Sequence, residues 1–329
     1  MKNNFWIIFF TIYFFSFLFS SEFLAIQPDS RCRGMGCVNN GIAEGAEGLN
    51  LNPCGILFTD NIDFTFSHLR WSYSGYSLSD EYAPMYEYAG LVKKIRRAAI
   101  GLNFSHFHHP TFSSDGADYS IFDGFSSLVL AADLYIFQIG IRPKIVWKVI
   151  GDYSGIAFSF DAGLSRAFNF LKLYKSTEPN FRLGLSVNNA GTGLVLISEK
   201  EEQPFNIQAG YGYYFFANRF LKALFANDYK FFLADNSYYR HFDINCGLEI
   251  RFFSVLAVNA GYIYSMPLSG SGFSATHQVS AGGSINIKIR GVNFSIMYSV
   301  LAGIPMDRYY SHAFSVVFKK LNFQQHTVK

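Results

Sequence analysis

Beyond Ile56 the chain contains no apolar run long enough to cross a bilayer as a helix, which takes about 20 residues. What recurs instead is alternation with a period of two. In 278–288, Val279, Ala281, Ile285 and Ile287 share one face, while Gln278, Ser280, Ser284, Asn286 and Lys288 share the other. After Arg290-Gly291 the pattern repeats, with Val292, Phe294, Ile296, Tyr298 and Val300 opposite Asn293, Ser295 and Ser299. A chain of this kind crosses a membrane only as strands closed into a barrel, because hydrocarbon offers no partner to an unpaired backbone amide.

The same two-faced pattern predicts strands at 61–73, 84–93, 96–107, 124–135, 137–149, 153–164, 181–188, 205–216, 220–232, 239–251, 254–264, 276–288, 291–300 and 310–320. That is about fourteen, an even number as single-chain bacterial barrels require. Tight turns, such as Asn218-Arg219 and Arg290-Gly291, alternate with longer loops at 74–83, 108–123, 189–204, 265–275 and 301–309. The tight turns are expected on the periplasmic side and the long loops outside. The connection Ala167–Asn180 breaks the rule, being long on the short side, and is expected to hold a small helix against the periplasmic rim. Tyr and Phe crowd the predicted strand ends, as in Tyr211, Tyr213, Tyr214, Phe215 and Phe216, and fit interfacial aromatic girdles.

The aromatic share is 19% against 16% charged, more rings than the single core of a soluble β-sandwich would hold, and no repeat of propeller-blade length occurs. The fold class is therefore all-β, a transmembrane antiparallel barrel. A net charge of +3 from scattered Lys and Arg marks no nucleic-acid footprint, and no nucleic-acid partner is expected.

Before the first strand the composition changes. Lys2 and the apolar run 5–19, closed by Ser20-Ser21, read as a secretory signal peptide over residues 1–21. Residues 22–57, rich in glycine and small polar side chains, are expected to fold as a plug, or hatch, inside the lumen. The barrel then spans 58–323, and 324–329 form a polar tail. Gly34, Gly36, Asn52, Pro53 and Gly55 are the candidate hatch and gating residues, the last three belonging to the turn-forming run Asn52-Pro53-Cys54-Gly55. Cys32, Cys37 and Cys54 cluster there, and an oxidising compartment permits a disulfide of Cys54 with Cys32 or Cys37.

No catalytic constellation, metal site or cofactor loop emerges, and the chain is not read as an enzyme. The cluster His106, His108 and His109 lacks supporting Cys or carboxylate spacing and reads as loop histidines rather than metal ligands. Asp161, Arg182, Asp243 and Arg251, with Asp133, Arg142, Lys144, Glu249 and Lys288, fall on predicted inner faces. There they are expected to cross-link the lumen in preference to guiding a polar solute. Cys246, on an apolar face, is expected to meet lipid.

Arg33-Gly34-Met35-Gly36, then Ala43-Glu44-Gly45-Ala46, then the run 49–56 (LNLNPCGI) resemble the amino-terminal region of FadL-related outer-membrane proteins, with Cys54 where alanine is usual. The stretches 151–164 and 184–191 are similar to internal segments of a PorV-like branch and of a spirochaetal FadL-related family. The resemblance implies a fourteen-stranded bacterial outer-membrane barrel with an internal hatch, assembled by the barrel-assembly machinery. It also implies passive, hatch-gated uptake of hydrophobic compounds such as long-chain fatty acids. PorV-like members act instead as partners in protein secretion, and this is the alternative function.

Overall fold

The computed structural model describes residues 21–73, 83–109, 112–114, 117–196, 199–233, 240–268, 275–304 and 309–320. Residues 1–20 of the expected signal peptide and the tail 324–329 lie outside them. The wall comprises β1 (Ile62–Tyr73), β2 (Met85–Ile95), β3 (Ala98–His108), β6 (Ile121–Asp133), β7 (Gln138–Ile150), β8 (Tyr153–Phe168) and β9 (Phe181–Gly191). It continues with β12 (Asn206–Ala217), β13 (Leu221–Phe232), β14 (His241–Phe252), β15 (Leu256–Pro267), β16 (Thr276–Ile289), β17 (Val292–Ile304) and β18 (Tyr309–Lys320). Two small hairpins, β4 (Phe112–Ser114) with β5 (Ala117–Tyr119) and β10 (Leu194–Leu196) with β11 (Glu199–Glu201), stand apart from it. Each wall strand pairs with its neighbours in sequence, and β1 closes on β18 to give an antiparallel barrel of fourteen strands. Every strand expected from alternation is present, with ends moved by a few residues.

The pleat sorts the side chains. Along β8, Ile156, Phe158, Phe160 and Leu164 are exposed on the outer surface, while Ala157, Ser159, Asp161 and Ser165 are buried within. Exposed large apolar residues on this scale would be untenable in water and suit contact with lipid. Aromatic pairs across neighbouring strands add to the outer surface, such as Phe64 with Phe318 at 6.2 Å and Tyr229 with Phe242 at 6.2 Å. Cys246 lies on this face opposite Asn227, whose amide donates to its Sγ at 3.0 Å.

The ladder breaks in three places, one of them a register shift between Tyr214 and Phe216 of β12. Between β6 and β7 the register passes from Ser127↔Lys144 to Leu130↔Ile141 without pairs at Pro143 and Arg142, since proline has no N–H to give. Between β8 and β9 the register shifts beside Asp161, with Asn189 at a positive φ of 60°. The released Asn189 amide donates to Asp161 Oδ1 at 2.7 Å.

Both ends of the wall, Ile62 of β1 and Lys320 of β18, lie at the end carrying the tight turns, the periplasmic end in bacterial barrels. Among the described connections one tight turn, Gly151-Asp152, sits at the other end. The connection from Phe168 to Asn180 contains no helix, contrary to expectation. Phe170 packs outward on wall aromatics, and Asn180 pins the bend by donating to Phe170 O and accepting from Phe170 N, both at 2.8 Å.

Residues 21–58 fill the lumen. They form 3₁₀ turns at Ser21–Ala25, Gly45–Asn50 and Pro53–Phe58 and one short α-helix at Ser30–Gly34, almost entirely buried.

Candidate functional site

Residues 30–40 are held by side chains from β12 to β18. The Ser30 amide donates to Ser315 Oγ at 3.0 Å, and Ser315 Oγ also meets Ser67 Oγ at 2.8 Å. Arg31 grips Glu249 with two parallel bonds, 2.8 and 3.1 Å, and Arg251 holds the same carboxylate at 3.0 Å. Arg33 donates to Ser311 Oγ and to Gln27 O. Gly36 N donates to Ser280 Oγ at 2.9 Å, and Asn245 donates to Gly36 O at 2.6 Å. Lys230 donates to Cys37 O at 2.6 Å. Asp228 accepts the consecutive amides of Asn39 and Asn40, at 2.5 and 3.1 Å.

On the opposite wall, contact with residues 40–58 is mainly one of shape. Leu49 lies against Gly90 and Gly101, Pro53 against Gly140, and Asn52 against Gly163. A side chain on Gly41 would overlap the backbone of Tyr211 and Gly212, so here the plug and wall touch main chain to main chain. Gly36, at a φ of +69°, faces Gly261 in the same way, and Gly34 approaches Gly282. Asn52 makes the principal polar anchor. Its carbonyl accepts from Cys54 N to cap the Pro53 turn, and its amide donates to Asn40 Oδ1, Leu164 O and Leu185 O at 3.0 to 3.2 Å. Gly55 packs on Ala43 within the plug. The five expected hatch residues thus sit at contacts within the plug or between plug and wall.

All four cysteines are free thiols, and no bond joins Cys54 to Cys32 or Cys37. Cys32 donates to Val38 O at 2.9 Å, while Cys54 donates to Gln138 O at 3.3 Å on the β7 side. The two positions are anchored to different parts of the lumen, and their clustering in sequence does not become a shared site.

The lumen charges divide between two tasks. Asp161, fully buried, pairs with Arg142 and with Lys144 at 2.8 Å and ties the wall to itself. Arg182 reaches the plug, donating to Ala43 O at 2.9 Å with its guanidinium 3.5 Å from the Phe58 ring centre. Arg251 acts through Glu249, and Asp243 faces His241 at 3.6 Å. Lys288 is exposed near the periplasmic end. Half-buried Glu44 would be raised by burial, but Lys319, Arg31, Arg182 and Arg251 surround it and hold its carboxyl down at about 2. Burial, then the neighbouring Glu47 carboxylate, pushes Asp29 up to about 8. Arg31, Arg33 and Asp228 are contacts that sequence reasoning missed; two arginines in a segment otherwise poor in charge were the available signal.

The extracellular end holds a packed apolar cluster. Register places Tyr88, Ser105, Phe125, Val146 and Ala157 at one height on the inner face of β2, β3, β6, β7 and β8. Tyr86 and Phe107 stand above them, 6.0 Å apart. Leu49, Ile56 and Leu57 close the floor, and Leu194 and Leu196 of the β10–β11 hairpin fold in from the loop side. Phe23 and Leu24 occupy the middle, the Phe23 ring 6.4 Å from that of Phe125. The hairpin is anchored by Glu201, which accepts from Lys148 at 3.0 and 3.2 Å. His109 meets Asp123 at 2.6 Å beside it. His106 and His108 point outward and stack on Phe122, so the three histidines do not converge.

A closed barrel with a lipid-facing apolar wall and a polar lumen filled by its own amino-terminal segment is a membrane-spanning barrel of the bacterial outer-membrane type. Its fold is that of FadL-type barrels. The chain is similar to the monoaromatic hydrocarbon channel CymD, with a TM-score of 0.64 at 12% identity over 90% of this chain and 98% of that one. It is similar also to the P. putida toluene transporter TodX, with a TM-score of 0.59 at 13% identity over 90% and 99%. A Pseudomonas aeruginosa FadL homologue gives a TM-score of 0.56 at 11% identity over 90% and 99%. No protein-family model and no curated protein matches the sequence.

Proposed function

We propose that this protein carries hydrophobic small molecules across the outer membrane by passive diffusion, with residues 22–57 acting as the gate. The observation that carries the reading is the large apolar cluster at the extracellular end of the lumen. Polar walls alone would suit a water-filled pore, whereas Tyr86, Phe107, Phe125 and Val146 line a surface that apolar ligands would contact favourably once the plug withdraws. Phe23 and Leu24 cover it in the closed state, so a ligand takes their place as the segment moves.

The likeness in fold to hydrocarbon channels supports this reading. Long-chain fatty acids and compact aromatic hydrocarbons are both candidate cargo. Assembly by the barrel-assembly machinery is part of the same proposal. Purified protein in liposomes, supplied with labelled fatty acid or labelled toluene, tests it directly. Uptake faster than in empty vesicles is expected; uptake of both compounds no faster than in empty vesicles would remove the proposal, and a co-purifying secretion protein would favour the accessory role.

A further inference from the structure

The connection from Phe168 to Asn180 is the long excursion among the described periplasmic turns, and it folds onto the outside of the wall. Phe170 packs on Phe181 at 5.2 Å and on Tyr213 at 6.2 Å, and both partners belong to outward-facing positions of β9 and β12. Tyr213 donates its hydroxyl to Leu171 O at 3.0 Å, and Tyr174 donates to Tyr214 O at 3.1 Å. Lys172 spans the bend, donating to Asn169 Oδ1 at 3.0 Å and to Ser176 O at 2.7 Å. The segment is thus fixed by its own bonds, yet it presents Leu171 and Leu173 at 69% and 90% exposure. A fixed loop that turns two leucines outward leaves their apolar transfer energy unrealised in water.

Neighbouring turns extend the same surface. Phe220, in the β12–β13 turn, meets Phe253, in the β14–β15 turn, edge-on at 5.5 Å, and both are exposed. Exposed Arg219 lies 5.7 Å from the Phe220 ring centre, exposed Lys175 belongs to the first connection, and Lys222 lies 3.9 Å from Glu178, linking that connection to β13. The patch therefore combines apolar tips with mostly positive charge, and it runs without interruption into the lipid-facing wall at Phe181 and Tyr213.

We infer that these three turns form a foot embedded in the periplasmic leaflet, with the leucines and rings among the acyl chains and Lys175 and Arg219 on the phosphates of anionic phospholipids. Continuity with the bilayer-facing wall selects a membrane over a periplasmic protein. The basic residues sit where headgroups lie, as interfacial Lys and Arg do.

The test uses the full-length protein in vesicles of mixed phosphatidylglycerol and phosphatidylcholine. An environment-sensitive fluorophore is placed at Leu173→Cys in a Cys246→Ser background, with Glu178→Cys as the water-facing control. At 173 the emission shifts to the blue and is lost to nitroxide lipids but not to aqueous iodide, and at 178 the reverse holds. Iodide quenching at 173 equal to that at 178 would overturn the inference. So would shielding at 173 that develops only after a periplasmic extract is added, which would assign the patch to a protein partner. Independently of labelling, the native chain is expected to retain phosphatidylglycerol through delipidation, and Lys175→Glu with Arg219→Glu to lose it. Equal retention by both would contradict the headgroup assignment.

Discussion

The two sides of the lumen hold the same plug by different physics. From β12 to β18 the wall offers Asp228, Lys230, Asn245, Glu249, Ser280, Ser311 and Ser315, each bonded to a named atom of residues 30–40. From β2 to β9 it offers Gly90, Gly101, Gly140 and Gly163, and the plug fits chiefly by contour, with Arg142 and Arg182 donating to Leu49 O and Ala43 O. The first side is directional and sensitive to charge, while the second responds chiefly to volume. A segment held this way can pivot, because bonds of about 1 kcal/mol net exchange one at a time with water, whereas close main-chain packing is lost as a unit.

The largest effect is expected where plug and wall touch main chain to main chain, a contact that also occurs on the bonded side at β12. Gly41→Val would drive a branched side chain into the Tyr211–Gly212 backbone, which cannot yield, and should unseat the plug. Hydrogen exchange across residues 30–58 should rise to that of an open segment; unchanged protection would mean that the packing is loose.

On the charged side, Arg31→Ala leaves a buried Glu249 with only Arg251 and should cost about 3 kcal/mol. Exchange at the Asn39 and Asn40 amides reads the change, and loss confined to residues 45–58 would contradict the division between the two sides. Asn52→Ala, which removes three donated bonds and a cap, is expected to cost about 1–3 kcal/mol and to loosen the Pro53 turn selectively.

A further effect is one of pH. Asp29 is raised from an ordinary 3.8 to about 8, so the seated plug binds a proton that the free segment gives up. That contribution is complete below about pH 4 and fades as pH climbs toward 8. Plug protection should therefore fall across this window, and Asp29→Asn should flatten the trend.

The wall was legible because alternation needs only local sequence: each strand's apolar face is written in every second residue. The plug was legible as a change in composition, and Asn52-Pro53 as a turn. Partners were not, because Arg31 with Glu249 or Asn39 with Asp228 join residues roughly two hundred positions apart, and nothing local encodes which acid meets which base. The helix expected in the β8–β9 connection failed for a related reason. Phe170 is held by Phe181 and Tyr213 on the adjacent outer face, which the local run of Phe170, Leu171 and Leu173 does not encode. Cysteine clustering likewise carried no information on distance, and the thiols are free.

The central claim is that passage requires the amino-terminal segment to move. Ser30 and Ser315 touch through their hydroxyls at 2.8 Å, so Ser30→Cys with Ser315→Cys places a reversible tether between plug and wall. Uptake of labelled toluene or fatty acid into liposomes is then measured before and after reduction. The gate predicts that the oxidised protein is silent and that reduction restores the untethered rate; transport undiminished by the tether would contradict it.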